Sequence, residues 1–301
     1  MTGTATRIGH RARPWPVGLL ATLLLTGCSP ASVLNIFVSR AGVEMTRSVP
    51  YSDGPRRTLD VYRPDGVSGA PVVVFFYGGS WQSGSKALYR FVGMALARRG
   101  YVTVIPDYRL YPEVRFPEFL DDGALAVRWA RDNAARLGGD PNKLFVMGHS
   151  AGGYIAAMLA LDRRWLGKVG LDPDRDLAGL IGVAGPYDFL PLRDETLKVI
   201  FGGSNMPETQ PITHVARGAP PALLLTGASD GVVDPGNATR LAARLHAAGD
   251  DATLVTYPRI GHLTIVAAFA APLRFLAPVL HDVDGFIAGR TNHAELTVTK
   301  P

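Results

Sequence analysis

The chain has 301 residues, of which 47% are hydrophobic and 19% are charged, enough apolar material for one large globular core. This composition excludes a disordered, low-complexity chain. The formal net charge is +5, but Arg7, Arg11 and Arg13 lie in a segment that we expect to be removed, which leaves +2. The sequence has no stripe of Lys and Arg interleaved with aromatic residues, so nucleic-acid binding is not expected.

The N-terminus has the pattern of an export signal. Basic residues precede an apolar run at 17–25, which is too short to cross a bilayer because a spanning helix needs roughly 20 residues. The run ends in Leu-Thr-Gly-Cys28, which resembles a bacterial lipobox, and Cys28 is the only cysteine. A chance cysteine after an ordinary signal peptide is the alternative. One cysteine also excludes an internal disulfide.

We therefore expect a lipoprotein signal peptide at 1–27, lipidation of Cys28, and a tether with little structure of its own at 28–47. The protein would then be anchored to the periplasmic face of a bacterial membrane, in the cell envelope. By the same resemblance, Ser29 after the cysteine favours the outer membrane.

Apolar runs and helical patterns then alternate along residues 48–290, the predicted globular domain, which a tail at 291–301 follows. Strands are predicted at 57–63, 71–76, 101–105, 144–147, 180–183, 222–225 and 252–256. Helices are predicted at 88–96, 118–137, 152–161, 236–248 and 264–287. This alternation is typical of an α/β fold, a mostly parallel sheet with helices on both faces. Residues 190–219 interrupt the alternation of strands and helices, and this long irregular segment predicts a small lid or pocket wall.

Two segments match G-x-S-x-G, the pattern of a tight strand-to-helix turn that exposes a nucleophilic serine. The match at 148–152 follows a predicted strand, has small residues around Ser150 and leads into an apolar helix. The match at 227–231, around Ser229, is followed by two valines and a proline rather than a helix. Ser150 is therefore the predicted nucleophile.

A serine hydroxyl needs a base to take its proton, and histidine is suited to this near neutral pH. Of seven histidines, His262 lies directly after the last predicted strand, at the sheet edge where the turn of Ser150 also lies. His149 adjoins the nucleophile and cannot easily fold back onto it. His262 is the predicted base.

The acid that orients the base should follow the preceding strand. Asp230 lies there and is the predicted acid, with Asp234 as runner-up. The alternative for Asp230 is an Asx turn before Gly231.

The segment Tyr-Gly-Gly-Ser-Trp at 77–81 directly follows a buried strand and predicts an oxyanion hole, because glycine lets the backbone come close to the substrate. The candidate donors are the backbone N–H groups of Gly79, Ser80 and Ala151. The glycine spacing also resembles a phosphate loop, but the lysine stands at 86 rather than directly after Gly84.

Several motifs occur in an order that resembles the esterases of the α/β-hydrolase fold related to hormone-sensitive lipase. The nearest likeness is to the feruloyl/acetyl-xylan-esterase-like and kynurenine-formamidase-like branch. The motifs are Tyr77-Gly-Gly-Ser-Trp81 with Gly84, Asp107-Tyr-Arg-Leu110, Phe116-Pro117, Asp121 or Asp122, and Gly148-His-Ser-Ala-Gly-Gly153. The resemblance covers residues 55–290 and is specific for the fold but not for the substrate.

This resemblance implies an α/β-hydrolase fold with about eight strands and a small lid. It also implies a triad of Ser150, Asp230 and His262, with the same three oxyanion donors. One departure is that the family usually has His-Gly-Gly, whereas Tyr77 replaces that histidine here. What orients the oxyanion loop is thereby left open.

We expect a serine carboxylic-ester hydrolase that acts through an acyl-enzyme on a small or short-acyl ester, without a metal or organic cofactor. A formamidase or amidase would use the same triad. A catalytically inactive binding module is the alternative from another class, and Tyr77 is its only support. The oligomeric state, the acyl length and the alcohol group are not readable from the sequence.

Overall fold

The computed structural model of the protein describes residues 34–35, 38–39 and 41–298. Within them, eight strands form one sheet in the order β1-β2-β4-β3-β5-β6-β7-β8. The strands are β1 Val43–Pro50, β2 Thr58–Pro64, β3 Ala70–Phe76, β4 Val102–Pro106, β5 Gly139–His149, β6 Gly179–Val183, β7 Ala222–Gly227 and β8 Ala252–Tyr257. The expected signal peptide and Cys28 lie outside the described residues.

Most of the sheet is parallel. The first two strands pair antiparallel, β2 also pairs antiparallel with β4, and every pairing from β4 across to β8 is parallel. Strands β4, β6 and β7 are buried at every residue, as parallel strands covered on both faces must be.

The helices cover both faces of this sheet. They are α1 Arg90–Ala97, α2 Glu118–Asn133, α3 Ala151–Leu161, α4 Arg163–Gly167, α5 Pro173–Asp176, α6 Glu195–Phe201, α7 Gly236–Ala248, α8 His262–Ala267 and α9 Val279–Val298. Phe145 of β5 contacts Phe286 of α9, with ring centroids 6.2 Å apart. A Cβ on Gly123 of α2 would lie 3.5 Å from the ring of Phe76, which points to the opposite face from Phe145. The predicted α/β architecture is confirmed.

The strand order reverses around β3. It lies between β4 and β5, so the chain leaves β3 towards one side of the sheet and leaves β5 towards the other. In open α/β sheets, such a reversal opens a crevice at the carboxyl ends of the strands. The segments after β3 and β5 hold the predicted oxyanion loop and Ser150.

Three predicted boundaries are wrong. The sheet starts at Val43, inside the expected tether, because Val43–Thr46 pair with β2 and Val43 is buried. The predicted helix at 264–287 is two helices, α8 and α9, separated by a loop that contains Pro272 and Pro278. Proline lacks the N–H that a continuous helix needs and clashes with the preceding turn. The second helix runs to Val298, into the expected tail.

Among the described residues, we find no helix that is both long enough and apolar enough to cross a membrane.

Candidate active site

Ser150 lies in a sharp turn between β5 and α3. Its φ is 56° and its ψ is −124°, a strained conformation for a residue other than glycine. The turn needs glycine on both sides: a Cβ on Gly148 would lie 2.1 Å from the carbonyl oxygen of Gly152, and one on Gly152 would lie 2.0 Å from that of Phe76. The serine side chain therefore projects at the carboxyl edge of the sheet.

His262, the first residue of α8, contacts both predicted partners. Its Nε2 lies 2.9 Å from Oγ of Ser150, and its Nδ1 lies 2.8 Å from Oδ2 of Asp230. All three residues are buried. The carboxylate fixes the proton on Nδ1, which leaves Nε2 free to accept the serine proton.

Asp230 is held in place by its other carboxylate oxygen. Oδ1 accepts hydrogen bonds from the backbone N–H groups of Val232 and Val233, both at 2.9 Å. Gly227 allows the two loops to meet, since a Cβ there would lie 2.2 Å from the carbonyl oxygen of Ile260. One carboxylate therefore makes both the predicted Asx turn, through Oδ1, and the contact with His262, through Oδ2.

The rival residues lie elsewhere. Asp234 is exposed, accepts a hydrogen bond from the N–H of Gly236 and pairs with Arg240 at 3.3 Å. Ser229, in the second G-x-S-x-G match, is exposed in the turn after β7. Of the two candidate acids, the structure brings Asp230 to His262.

The loop after β3 passes directly over the serine. A Cβ on Gly78 would lie 2.9 Å from Cβ of Ser150, so glycine is required for this approach. Gly79 has φ 143° and Ser80 has φ 53°. Within the described chain, the N–H groups of these two residues donate to no other part of the protein. Ala151, as the first residue of α3, has no intrahelical partner for its N–H either.

The hydroxyl of Tyr77 fixes this loop to a buried carboxylate. It donates to Oδ1 of Asp107 at 2.9 Å and accepts from the guanidinium of Arg56 at 2.8 Å. The ring is stacked on that of Tyr108 with centroids 4.7 Å apart. Burial raises the pKa of Tyr77, so the hydroxyl keeps its proton. These contacts orient the loop where the family usually has histidine.

Lys86, which the phosphate-loop alternative would have needed, belongs to the same network. Its Nζ lies 2.7 Å from Oδ2 of Asp107, and its backbone N–H donates to Oδ1 at 2.8 Å. Neither Lys86 nor Asp107 was assigned a role from the sequence, although Asp107 stands in one of the family motifs.

His149 supports the backbone of the base. Its Nε2 lies 3.0 Å from the carbonyl oxygen of His262, and the two rings are 4.9 Å apart. Burial, together with the adjacent His262, lowers the pKa of His149 to about 3. His149 is therefore neutral near neutral pH and donates from Nε2. Sequence reasoning excluded His149 as the base but missed this role.

A cavity of about 500 Å³ opens beside Ser150. Its lining includes Trp81 and Phe189, whose rings stack with centroids 6.2 Å apart, together with Val232 and, from the predicted lid, Leu190 and Leu197. Within the segment at 190–219, residues 190–193 and Leu197 of α6 form one wall of this cavity. The lining is mixed, since Asp188, Arg193 and Arg240 also contribute to it. A partly apolar cavity beside a nucleophile suits the acyl or alcohol part of a small ester.

In the part of the chain that the structure describes, no group of three or more His, Cys, Asp and Glu side chains is arranged to hold a metal ion.

A family model named BD-FAE matches residues 59–245. The chain is 32% identical to the esterase LipC of Mycobacterium tuberculosis, over 74% of this chain and 58% of that protein. It is 30% identical to the isoprenylcysteine alpha-carbonyl methylesterase ICME of Arabidopsis thaliana, over 83% of this chain and 63% of that protein. The chain thus spans about three fifths of the length of these curated relatives.

The fold is also similar to that of a thermophilic esterase from Thermogutta terrifontis. The TM-score is 0.67 at 26% identity, and the match covers 83% of this chain and 93% of that one. The likeness confirms the fold that the ordered motifs implied.

Proposed function

Because the chain belongs to the BD-FAE family, we propose that it is a serine carboxylic-ester hydrolase that acts on a small or short-acyl ester. Ser150 is the nucleophile, His262 the general base and Asp230 the residue that orients it. The reaction proceeds through an acyl-enzyme and uses no metal or organic cofactor.

In the first half of the reaction, Oγ of Ser150 attacks the ester carbonyl while Nε2 of His262 takes the hydroxyl proton. The negative charge that develops on the carbonyl oxygen is stabilised by the N–H groups of Gly79, Ser80 and Ala151. His262 then gives its proton to the leaving alcohol. A water molecule, activated by the same histidine, cleaves the acyl-enzyme and releases the acid.

The observation that carries this proposal is the hydrogen-bonded series from Asp230 through His262 to Ser150, at 2.8 and 2.9 Å. It lies next to two backbone N–H groups that have no partner within the described residues, and next to a cavity of about 500 Å³. The esterase names of both curated relatives support ester hydrolysis. An inactive binding module would have no need to keep this geometry together with a strained serine.

The test compares Ser150→Ala with Ser229→Ala, since both serines stand in a G-x-S-x-G match. The substrates are aryl esters with acyl groups from acetate to decanoate. A fluorophosphonate probe labels the reactive serine. We expect Ser150→Ala to lower kcat by about 10⁴-fold to 10⁶-fold and to abolish labelling. Ser229→Ala should retain both. Near-native hydrolysis by Ser150→Ala would overturn the proposal, and faster cleavage of a matched aryl formamide would identify an amidase.

We further propose that Cys28 carries lipid and anchors the protein to the periplasmic face of a bacterial membrane, the outer membrane being favoured by Ser29. The support is the lipobox-like sequence and the single cysteine. Mass spectrometry of the exported protein should find an acylated Cys28 as first residue, and Cys28→Ser should move the protein to the soluble fraction. An unmodified N-terminus would contradict the anchor.

A further inference from the structure

A patch of three arginines and one phenylalanine is exposed at the C-terminal end of α1 and in the loop that precedes α9. Arg98 and Arg99 follow α1, and Arg274 and Phe275 stand in the loop between α8 and α9. Phe275 is 79% exposed, more than any other large hydrophobic residue among those described. We call these four residues the basic patch.

The charges of the basic patch are poorly balanced. Arg99 lies 3.6 Å from the carboxylate of Asp284. Within the described residues, neither Arg98 nor Arg274 has a carboxylate within ion-pair distance; they donate instead to the carbonyl oxygens of Ser39 and Phe269. Burial and the nearby Arg99 and Arg98 lower the pKa of Arg274, as expected for crowded cations. Such a surface attracts an anionic partner.

The chain arriving from Cys28 reaches the domain at this same surface. Leu34 and Val38 line one small cavity together with Arg98 and Arg274. The side-chain amide of Asn35 donates to the carbonyl oxygen of Ala87 at 2.9 Å, just before α1. Five residues separate Cys28 from Leu34 in the sequence, so the six steps between their Cα atoms span at most about 22 Å. A lipid on Cys28 would therefore hold the basic patch close to the membrane.

We propose that the basic patch docks on anionic lipid headgroups and turns one flank of the domain towards the membrane. This inference rests on the proposed lipid anchor. Guanidinium groups bind lipid phosphates through paired hydrogen bonds, and an exposed aromatic ring inserts at headgroup depth. Each arginine near an anionic leaflet raises the equilibrium constant for the bound orientation roughly fivefold. A lipid on Cys28 alone would not fix the orientation of the domain.

The single cysteine permits a direct test. Lipidation occupies Cys28, so Phe275→Cys supplies one free thiol for an environment-sensitive fluorophore on the exported, full-length mature protein. The protein is reconstituted in phosphatidylcholine vesicles with or without phosphatidylglycerol. We expect a blue shift and quenching by brominated lipid that depend on phosphatidylglycerol. Ala135→Cys is the matched control, because exposed Ala135 follows α2, which packs on the opposite face of the sheet.

Replacing all three arginines by glutamine should abolish the shift at position 275, while hydrolysis of a soluble aryl ester stays at the level of the parent and shows that the variant is folded. Equal blue shifts at positions 275 and 135 would overturn the inference. A blue shift at 275 that does not depend on phosphatidylglycerol, or that persists without the three arginines, would overturn it as well. Vesicle flotation separates the two proposals: protein that floats without the shift refutes only the docking, whereas protein that does not float refutes the anchor and the docking with it.

Discussion

Tyr77 shows how a single residue can replace the one that a family usually has. Its hydroxyl bridges Arg56 and the buried Asp107, and its carbonyl oxygen accepts a hydrogen bond from Tyr108 at 2.8 Å. Since Asp107 also binds Lys86, the loop before Ser80 is tied to several parts of the chain. These contacts answer the question that the sequence left open, namely what orients the oxyanion loop when Tyr77 stands at this position.

The hydroxyl can be removed without its ring. Tyr77→Phe should lower the free energy of unfolding by about 1–3 kcal/mol, because a buried carboxylate loses a donor. It should also lower kcat more than it raises KM, since the loop with the oxyanion donors loosens. Urea unfolding and steady-state kinetics measure the two effects.

The control for that change is Tyr62→Phe. The hydroxyl of Tyr62 is buried and, among the described residues, has no hydrogen-bond partner, so its removal should cost nothing. Equal losses of stability and kcat in both variants would refute the anchoring role of Tyr77.

His149 gives the protein a specific sensitivity to acid. Its pKa is about 3 when folded, against an ordinary value of 6.5 in the unfolded chain. Between these values only the unfolded state binds the proton, so stability falls as pH falls, by about 1.4 kcal/mol for each pH unit. His149→Gln should remove this slope between pH 6 and pH 4 in urea unfolding measured against pH.

The matched variant is His246→Gln. His246 is exposed on α7, so its loss should leave the slope as it is. A wild-type slope retained in His149→Gln would mean that His149 is charged in the folded protein.

At the scale of elements, the loop between β3 and α1 depends on the conformation of Gly79. Gly79 has φ 143°, and a Cβ there would lie 2.1 Å from the carbonyl oxygen of Ser83. Gly79→Ala therefore has to displace the loop together with its N–H groups. We expect kcat to fall about 10²-fold to 10³-fold, the usual effect of losing an oxyanion donor.

Gly100→Ala separates this effect from simple backbone strain. Gly100 also has a positive φ, of 95°, but nothing lies within 4 Å of the added Cβ. It should cost roughly 1 kcal/mol of stability and leave kcat unchanged. If Gly79→Ala were as active as Gly100→Ala, the loop would have no part in stabilising the oxyanion.

Two elements that the sequence misjudged have different physical causes. The strand β1 is mostly exposed, so its residues lack the continuous apolar run that identifies β3. Its conformation is set by pairing with β2. The apolar character of residues 264–287 persists through the loop between α8 and α9, which hides the break that two prolines impose. The apolar composition of this loop indicates neither a helix nor burial, since Phe275 within it is 79% exposed.

At the scale of the whole molecule, Asp122 joins distant segments. This fully buried carboxylate of α2 pairs with Arg57, which precedes β2, at 2.9 Å and with Arg109, which follows β4, at 2.8 Å. Asp122→Asn leaves two guanidinium groups without their charge partner. We expect a loss of about 3–5 kcal/mol in the free energy of unfolding.

A carboxylate on the same helix supplies the comparison. Asp132 pairs with Arg128 at the exposed surface, so Asp132→Asn should cost about 0.5 kcal/mol or less. Calorimetry of the two variants measures the difference. Similar melting temperatures would show that the buried pairs contribute no more than a surface pair.

The sequence by itself determined the alternation of strands and helices and the position of Ser150, Asp230 and His262 directly after strands. These features are local: apolar runs, small residues in a turn, and loop residues that follow a strand. Because the strands are parallel, the loops that follow them lie at the same edge of the sheet, so this placement also follows from the sequence pattern.

Only the tertiary structure decided which of two aspartates meets His262, how Tyr77 holds its loop, that His149 binds the backbone of His262, and that Leu34 packs beside Arg274. Each depends on a contact between residues far apart in the chain, with geometry set by packing to within an ångström. Hydrogen bonds need that precision, and no local pattern in a single sequence encodes it.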